Sequence, residues 1–186
     1  MRIAIIAFDD FTDLDLVMHW DLLNRVRAIG GVENWSVRIL GTKPCHDSTF
    51  GLPIPTSGKI EEAANADGVI LCSGKGTRVL IDDKNYLSRL GLDPKRQFIG
   101  AQCSGSLILG ALGFLKGTRV SAYPPIVTNL KQYQAELVQD SLVIDGKIAT
   151  ASSCLAGQFL SEWLMTCLAG KEVAAKVMAT VAPLKG

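Results

Sequence analysis

Between Gln97 and Gly110 the chain reads Gln-Phe-Ile-Gly-Ala-Gln-Cys-Ser-Gly-Ser-Leu-Ile-Leu-Gly, and this stretch restricts the fold more than any other. Phe98 and Ile99 belong to a buried strand, and an apolar helix pattern follows directly after Cys103. Ala101 and Gly105 lie two positions to either side of that cysteine. A strand turning this sharply into a helix leaves no room for bulky neighbours and exposes one side chain at the corner. A helix starting near Ser104 aims its unpaired amides at the sulfur, which predicts a thiol pKa below that of free cysteine. Cys103 is therefore the expected nucleophile.

The strands and helices on either side set the fold class. Arg2–Ala7 is a continuous apolar run, as in a parallel strand buried on both faces. An acidic loop from Phe8 to Asp13 leads to a helix expected over Leu14–Ile29, with Leu16, Trp20 and Leu23 on one stripe and Leu22, Val26 and Ile29 on the next. Gly30-Gly31 ends it. A second strand is read at Trp35–Leu40, irregular chain with a short strand or hairpin at Lys43–Ser57, and a short helix at Ile60–Ala64. Gly68–Cys72 is a further buried strand, followed by the glycine loop Ser73-Gly74-Lys75-Gly76. Two short helical pieces are expected between Thr77 and Leu92, a strand at Arg119–Ala122, and mostly helix from Ile126 to Gln139. Asp145-Gly146 signals a hairpin. Ser153–Leu168 is read as a long helix with Gly157 inside it, and Lys171–Val181 as the last helix.

Strands alternating with helices over 186 residues, with no repeat or linker, predict an α/β chain. The expected fold is one domain over residues 1–186, a doubly wound, mostly parallel sheet between helices. Ligands sit beyond the carboxyl ends of the strands in such sheets. Asp15, Gly74 and Cys103 should thus meet on one edge.

Composition narrows the function classes. A net charge of +1 gives no reason to expect nucleic acid or an anionic membrane surface as partner. No apolar run approaches the ~20 residues of a membrane span. The start is too short for a secretory signal, so the cytoplasm is the expected location. Five cysteines without Cys-x-x-Cys pairs fit neither a disulfide framework nor a zinc site. No metal and no organic cofactor is implied. Cys45 and Cys167 read as small, partly buried hydrophobes, and Cys72 and Cys154 abut the loops of the expected site.

Around Cys103, Asp15 could share a proton with the thiol or act as general acid or base, although Asp9, Asp10 and Asp13 are equally acidic neighbours. Backbone amides near Gly74, Lys75 and Ser104 could hold an oxyanion. His46 falls in a proline-rich segment and His19 in a helix, so both read as structural and a Cys–His dyad lacks support.

The stretch Ala101–Gly110, with Gly113-Phe114-Leu115-Lys116-Gly117 behind it, resembles the elbow of the DJ-1/PfpI (ThiJ) superfamily. Leu14-Asp15-Leu16 with Asp21-Leu22-Leu23 is similar to its acidic helix, and Ile70–Gly76 to its glycine loop. Thr150–Gly157 is similar to the segment opening its last core helix. The resemblance implies a flavodoxin-like sandwich, a homodimer, and Cys103 as the reactive cysteine. It further implies Asp15 as the carboxyl partner and oxyanion-binding amides at Gly74, Lys75 and Ser104. The elbow looks closest to the isocyanide-hydratase-like branch.

Three departures imply a changed pocket, with Tyr123, His19 and Cys154 as candidate lining. Lys75 stands where a second glycine is common. Tyr123 lies where many members carry histidine, so proteolysis is not expected. His19 and Met18 replace proline and glycine. The leading expectation is a cysteine-dependent hydratase, lyase or hydrolase acting on a small molecule. The competing one is a redox or stress sensor in which Cys103 is oxidised to sulfinic acid without turnover. A ligand-binding regulator is disfavoured because no helix-turn-helix region is read.

Overall fold

Every residue of Ile3–Ile6 is buried, as befits a strand at the centre of its sheet. Strand β1 (Arg2–Ile6) pairs in parallel with β2 (Ser36–Gly41) on one side and β6 (Gly68–Leu71) on the other, so both its edges are satisfied, while helices cover the faces of the sheet. The structure is a computed structural model that describes residues 1–121 and 123–183. Its remaining strands are β3 (Cys45–Asp47), β4 (Pro53–Pro55), β5 (Gly58–Lys59), β7 (Phe98–Gln102), β8 (Arg119–Ser121), β9 (Glu136–Val138), β10 (Leu142–Asp145) and β11 (Ile148–Ala151). The helices are α1 (Asp13–Ala28), α2 (Thr77–Leu80), α3 (Lys84–Leu90), α4 (Ser106–Ala111), α5 (Val127–Lys131), α6 (Gly157–Ala169) and α7 (Lys171–Ala179).

Seven strands form one sheet in the order β10-β11-β7-β6-β1-β2-β5, parallel except for β10. Strand order reverses between β1 and β6, the place in such sheets where ligand sites lie beyond the carboxyl ends of the strands. Helices α1, α6 and α7 pack together, and α2, α4 and α5 form a second group. Gly68 and Gly100 let α6 settle close on the sheet, because a Cβ at either position would run into Leu164 or Leu160.

The buried face of α1 is Asp15, Leu16, His19, Leu22, Leu23 and Val26, a regular helical stripe whose first turns are polar. The expected stripe, drawn from apolar residues, misplaces its upper end. Trp20 and Ile29 are exposed, whereas Asp15 and His19 are fully buried.

The proline-rich segment forms the hairpin β3–β4. Two short helices follow the glycine loop, as expected. Gly146, at φ 60°, makes the two-residue turn between β10 and β11.

The expected helix over Ile126–Gln139 is corrected. Only Val127–Lys131 is α-helical; Gln134 takes a positive φ of 58°, and Glu136–Val138 becomes β9, paired in parallel with β8. Long-range pairing outweighs local helix preference there, with the Glu136 amide bonded to Thr118 O. The strand expected at Arg119–Ala122 is found at Arg119–Ser121, and Ala122 lies outside the described residues. Gly157 opens α6 instead of lying within it, because Cys154–Ala156 winds as a 3₁₀ turn. Cys45 and Cys167 are exposed, not partly buried as expected. No helix among the described residues is long and apolar enough to cross a membrane.

Candidate active site

Cys103 sits where β7 ends, in a left-handed backbone conformation with φ 50°. For a residue with a Cβ this conformation costs roughly 1–2 kcal/mol, and it is stored where the chain turns from strand into the 3₁₀ turn Cys103–Gly105. Gly105 makes the turn possible: a Cβ there would collide with the carbonyl oxygens of Leu71 and Cys72 on the neighbouring strand. The Cys103 side chain is nearly enclosed, with 6% of its surface exposed.

Asp15 is fully buried at the start of α1 and faces the same edge. One oxygen, Oδ2, accepts the Ser73 amide at 3.1 Å, and the other, Oδ1, accepts Nε2 of Gln102 at 3.0 Å. The Cys154 thiol also lies within hydrogen-bonding reach of this carboxyl. Burial raises the Asp15 pKa from its ordinary value, against the hydrogen bonds from Ser73 and Cys154, which lower it.

The expectation of a depressed thiol pKa at Cys103 is not met. Burial pushes that thiol up to about 11, and the charge of Asp15 adds to the rise. The Ser104 amide, the Ser73 side chain and the Arg78 guanidinium oppose it without overcoming it. The helix-terminus amide that motivated the expectation is present at the sulfur. It is outweighed because the corner is closed over by protein rather than open to water.

The oxyanion amides divide. Ser104 N–H faces the Cys103 sulfur. The amide of Gly74 does not point into open space, since it donates to Oγ of Ser104 at 3.1 Å. Lys75 carries its side chain at the surface. Arg78, from α2, donates to Gly74 O at 2.8 Å and holds the loop's outer edge.

His19 lines no pocket surface. It is fully buried, with Nδ1 2.7 Å from Ser161 Oγ and Nε2 bonded to Oε1 of Gln102. The Gln102 amide nitrogen donates to Asp15 and to the carbonyls of Ser153 and Cys154, so Oε1 must be its acceptor end. His19 therefore carries its proton on Nε2 and receives one from Ser161 on Nδ1. Burial lowers its pKa to about 4, so the ring is neutral. Gly157 leaves space for this arrangement, as a Cβ there would strike the Gln102 amide.

Tyr123 is half-buried and lines a cleft of about 950 Å³ with Pro124, Val127, Leu137, Ser152 and Ser153. Cys154, just beyond Ser153, is partly exposed, and burial with the Asp15 charge raises its thiol to about 12. His46 is structural as expected: Nδ1 lies 3.0 Å from Asp9 Oδ1 and Nε2 accepts the Thr42 amide. Sequence reasoning did not find Gln102, Ser73, Ser161 or Arg78. The one available signal was spacing, as His19 lies one helical turn after Asp15 on the same face.

With this geometry in place, comparison with known proteins is informative. The model of the DJ-1/PfpI family matches residues 1–165. An isonitrile hydratase from Pseudomonas putida is 26% identical over 158 residues, covering 84% of this chain and 67% of that protein. The crystal structure of a ThiJ/PfpI family protein from Pseudomonas syringae superposes with a TM-score of 0.86 at 23% identity, covering 99% of this chain and 76% of the other. A two-domain protein from Anabaena variabilis, with DJ-1/ThiJ/PfpI-like and ferritin-like domains, gives a TM-score of 0.80 at 16% identity. That match covers 95% of this chain, which spans about half (54%) of the two-domain protein.

Proposed function

The chain belongs to the DJ-1/PfpI family, and from that premise we propose that it is a cysteine-dependent hydratase of small electrophiles, with Cys103 as nucleophile and Asp15 as proton carrier. The observation that carries the proposal is the strained Cys103 corner, with the Ser104 amide at its sulfur and the buried Asp15 carboxyl acting on it electrostatically. The distant likeness to an isonitrile hydratase directs the choice of substrate class.

For an isonitrile the steps balance as follows. The Cys103 sulfur bonds to the terminal carbon, which takes a proton and becomes a thioimidate. Water adds to that carbon, the C–S bond breaks, and an N-substituted formamide leaves while the thiol regains its proton. Asp15 hands on each proton, a task suited to a carboxyl whose raised pKa keeps it protonated further toward neutrality than usual. The Ser104 amide and the backbone of Lys75 are the proposed donors to developing negative charge. Since burial holds the thiol neutral, with its pKa pushed up to about 11, sulfur loses its proton as it attacks, not beforehand.

The test is a panel of isocyanides, aldehydes and activated esters, with product identified by mass spectrometry. Formamide release from an isocyanide, lost on the order of a thousandfold in Cys103→Ala, supports the reading. Turnover that survives in Cys103→Ala overturns it. Asp15→Asn removes a like charge from beside the sulfur, so the pH midpoint of Cys103 alkylation should fall.

Family members are commonly dimers, and a homodimer is proposed here too, supported by the apolar groove of Val17, Trp20, Ile54 and Pro55. Light scattering tests it. A second functional reading, oxidation of Cys103 in a stress response, draws support from the second thiol close by.

A further inference from the structure

The hydratase chemistry uses one thiol, yet the site holds two. Strands β7 and β11 run in parallel, with Ala151 opposite Gln102. Each then breaks into a 3₁₀ turn that begins on a cysteine, Cys103–Gly105 and Cys154–Ala156. The Gln102 side chain fastens the second turn to the first, donating to Cys154 O at 2.6 Å and to Ser153 O at 3.3 Å. The Ser73 side chain and the Asp15 charge act on both thiols. Neighbouring strands lie ~4.8 Å apart, and past the Ala151–Gln102 pair Cys103 comes one residue on and Cys154 three, so the two turns leave the same edge of adjacent strands. Cys154 is also the more open of the two.

We propose that Cys154 is a resolving cysteine and that the site reduces hydroperoxides through a Cys103–Cys154 disulfide. In the first step the Cys103 sulfur takes the outer oxygen of ROOH. An S–O bond forms, the O–O bond breaks, and ROH leaves with the thiol proton. Cys103 is oxidised to sulfenic acid and the peroxide is reduced. Next the Cys154 thiol passes its proton to Asp15 and its sulfur attacks that of Cys103. The S–S bond forms, the S–O bond breaks, and hydroxide departs as water with the proton from Asp15. Two thiols and one peroxide give a disulfide, an alcohol and water. Cys72 is the other thiol nearby but is fully buried below the glycine loop, so it is poorly placed for this attack.

The inference does not rest on the hydratase reading, since it needs only a Cys103 sulfur that peroxide can reach. The experiment treats the full chain, with exposed Cys45 and Cys167 changed to serine, with about three equivalents of hydrogen peroxide, enough for the two oxygens of a sulfinate. Intact mass and peptide mapping follow. The expected result is loss of two hydrogens, a peptide cross-linked between Cys103 and Cys154, and full reversal by dithiothreitol. In Cys154→Ser and Cys154→Ala the same dose should instead carry Cys103 on to the sulfinate, a gain of two oxygens, with over-oxidation faster on the order of tenfold. The inference is overturned if the parent forms sulfinate as readily as the variants, if Cys103 cross-links to Cys72, or if Cys103 stays reduced. The parent measurement stands without any position-154 variant, so a misfolded substitution does not change its outcome. Isocyanide turnover is scored separately and can fail without affecting it.

Discussion

Two strand-to-helix turns lie side by side at the carboxyl edge, and their contrast explains how the site is built. The turn at Cys103 is strained, with a left-handed cysteine, a glycine beneath it and a short helix of six residues after it. The turn at Cys154 has no residue with positive φ and feeds a helix of thirteen residues. Strain in the first turn projects a sulfur to one defined point. Without that constraint, the second turn owes its position to Gln102 and, through it, to His19 and Ser161. A thiol held by its own backbone thus stands beside one held by a neighbour's side chain.

Acid should break the second arrangement first. His19 has a folded-state pKa near 4 against an ordinary 6.5, so the native state resists its protonation. The stability this contributes is present above pH 6.5 and is lost as pH falls from about 6.5 through about 4, by about 3 kcal/mol in total. Chemical denaturation across that range measures it. His19→Gln keeps a donor to Gln102 and should flatten the slope. An unchanged slope would mean that other groups dominate acid unfolding.

Glycine-to-alanine changes separate the two turns by what they strike. Gly105→Ala forces a Cβ against backbone carbonyls that cannot move away, and should cost about 2–3 kcal/mol. Gly157→Ala meets only the Gln102 amide, a side chain able to shift, and should cost about 1–2 kcal/mol. It should, however, alter the peroxide reactivity of Cys154 more than the alkylation of Cys103. Equal losses at the two sites, read by denaturant midpoints, would show that the turns are equally rigid.

The smallest effect is the most direct test of strain. At position 103 glycine should be more stable than alanine by about 1 kcal/mol, because glycine accepts positive φ. At position 154 the order should reverse, with alanine favoured by about 0.5–1 kcal/mol. The same sign at both positions would remove the contrast.

Much of the fold was legible in the chain because burial on both faces imposes an unmistakable pattern. Ile3–Ile6 and Gly68–Leu71 are apolar throughout, and Asp145-Gly146 can scarcely be anything but a hairpin turn. Glu136–Val138 was not legible, since its strand exists only where β8 offers a partner. In the site, Cys103 could be read from its small neighbours and Asp15 from its place in the first turn of α1. Gln102 could not be read, because a glutamine in a strand carries no local signature. Its importance lies in partners from α1 and from the turn before α6, which are far away in sequence.

The sequence by itself determined the parallel sheet, the elbow and the cysteine at its corner, each of which follows from neighbours within a few residues. Only the tertiary structure decided the surroundings of that cysteine. Its thiol rises to about 11 instead of falling, and a second cysteine stands beside it. The physical reason is that ionisation depends on what excludes water and what charge lies near, and both come from segments distant in the chain.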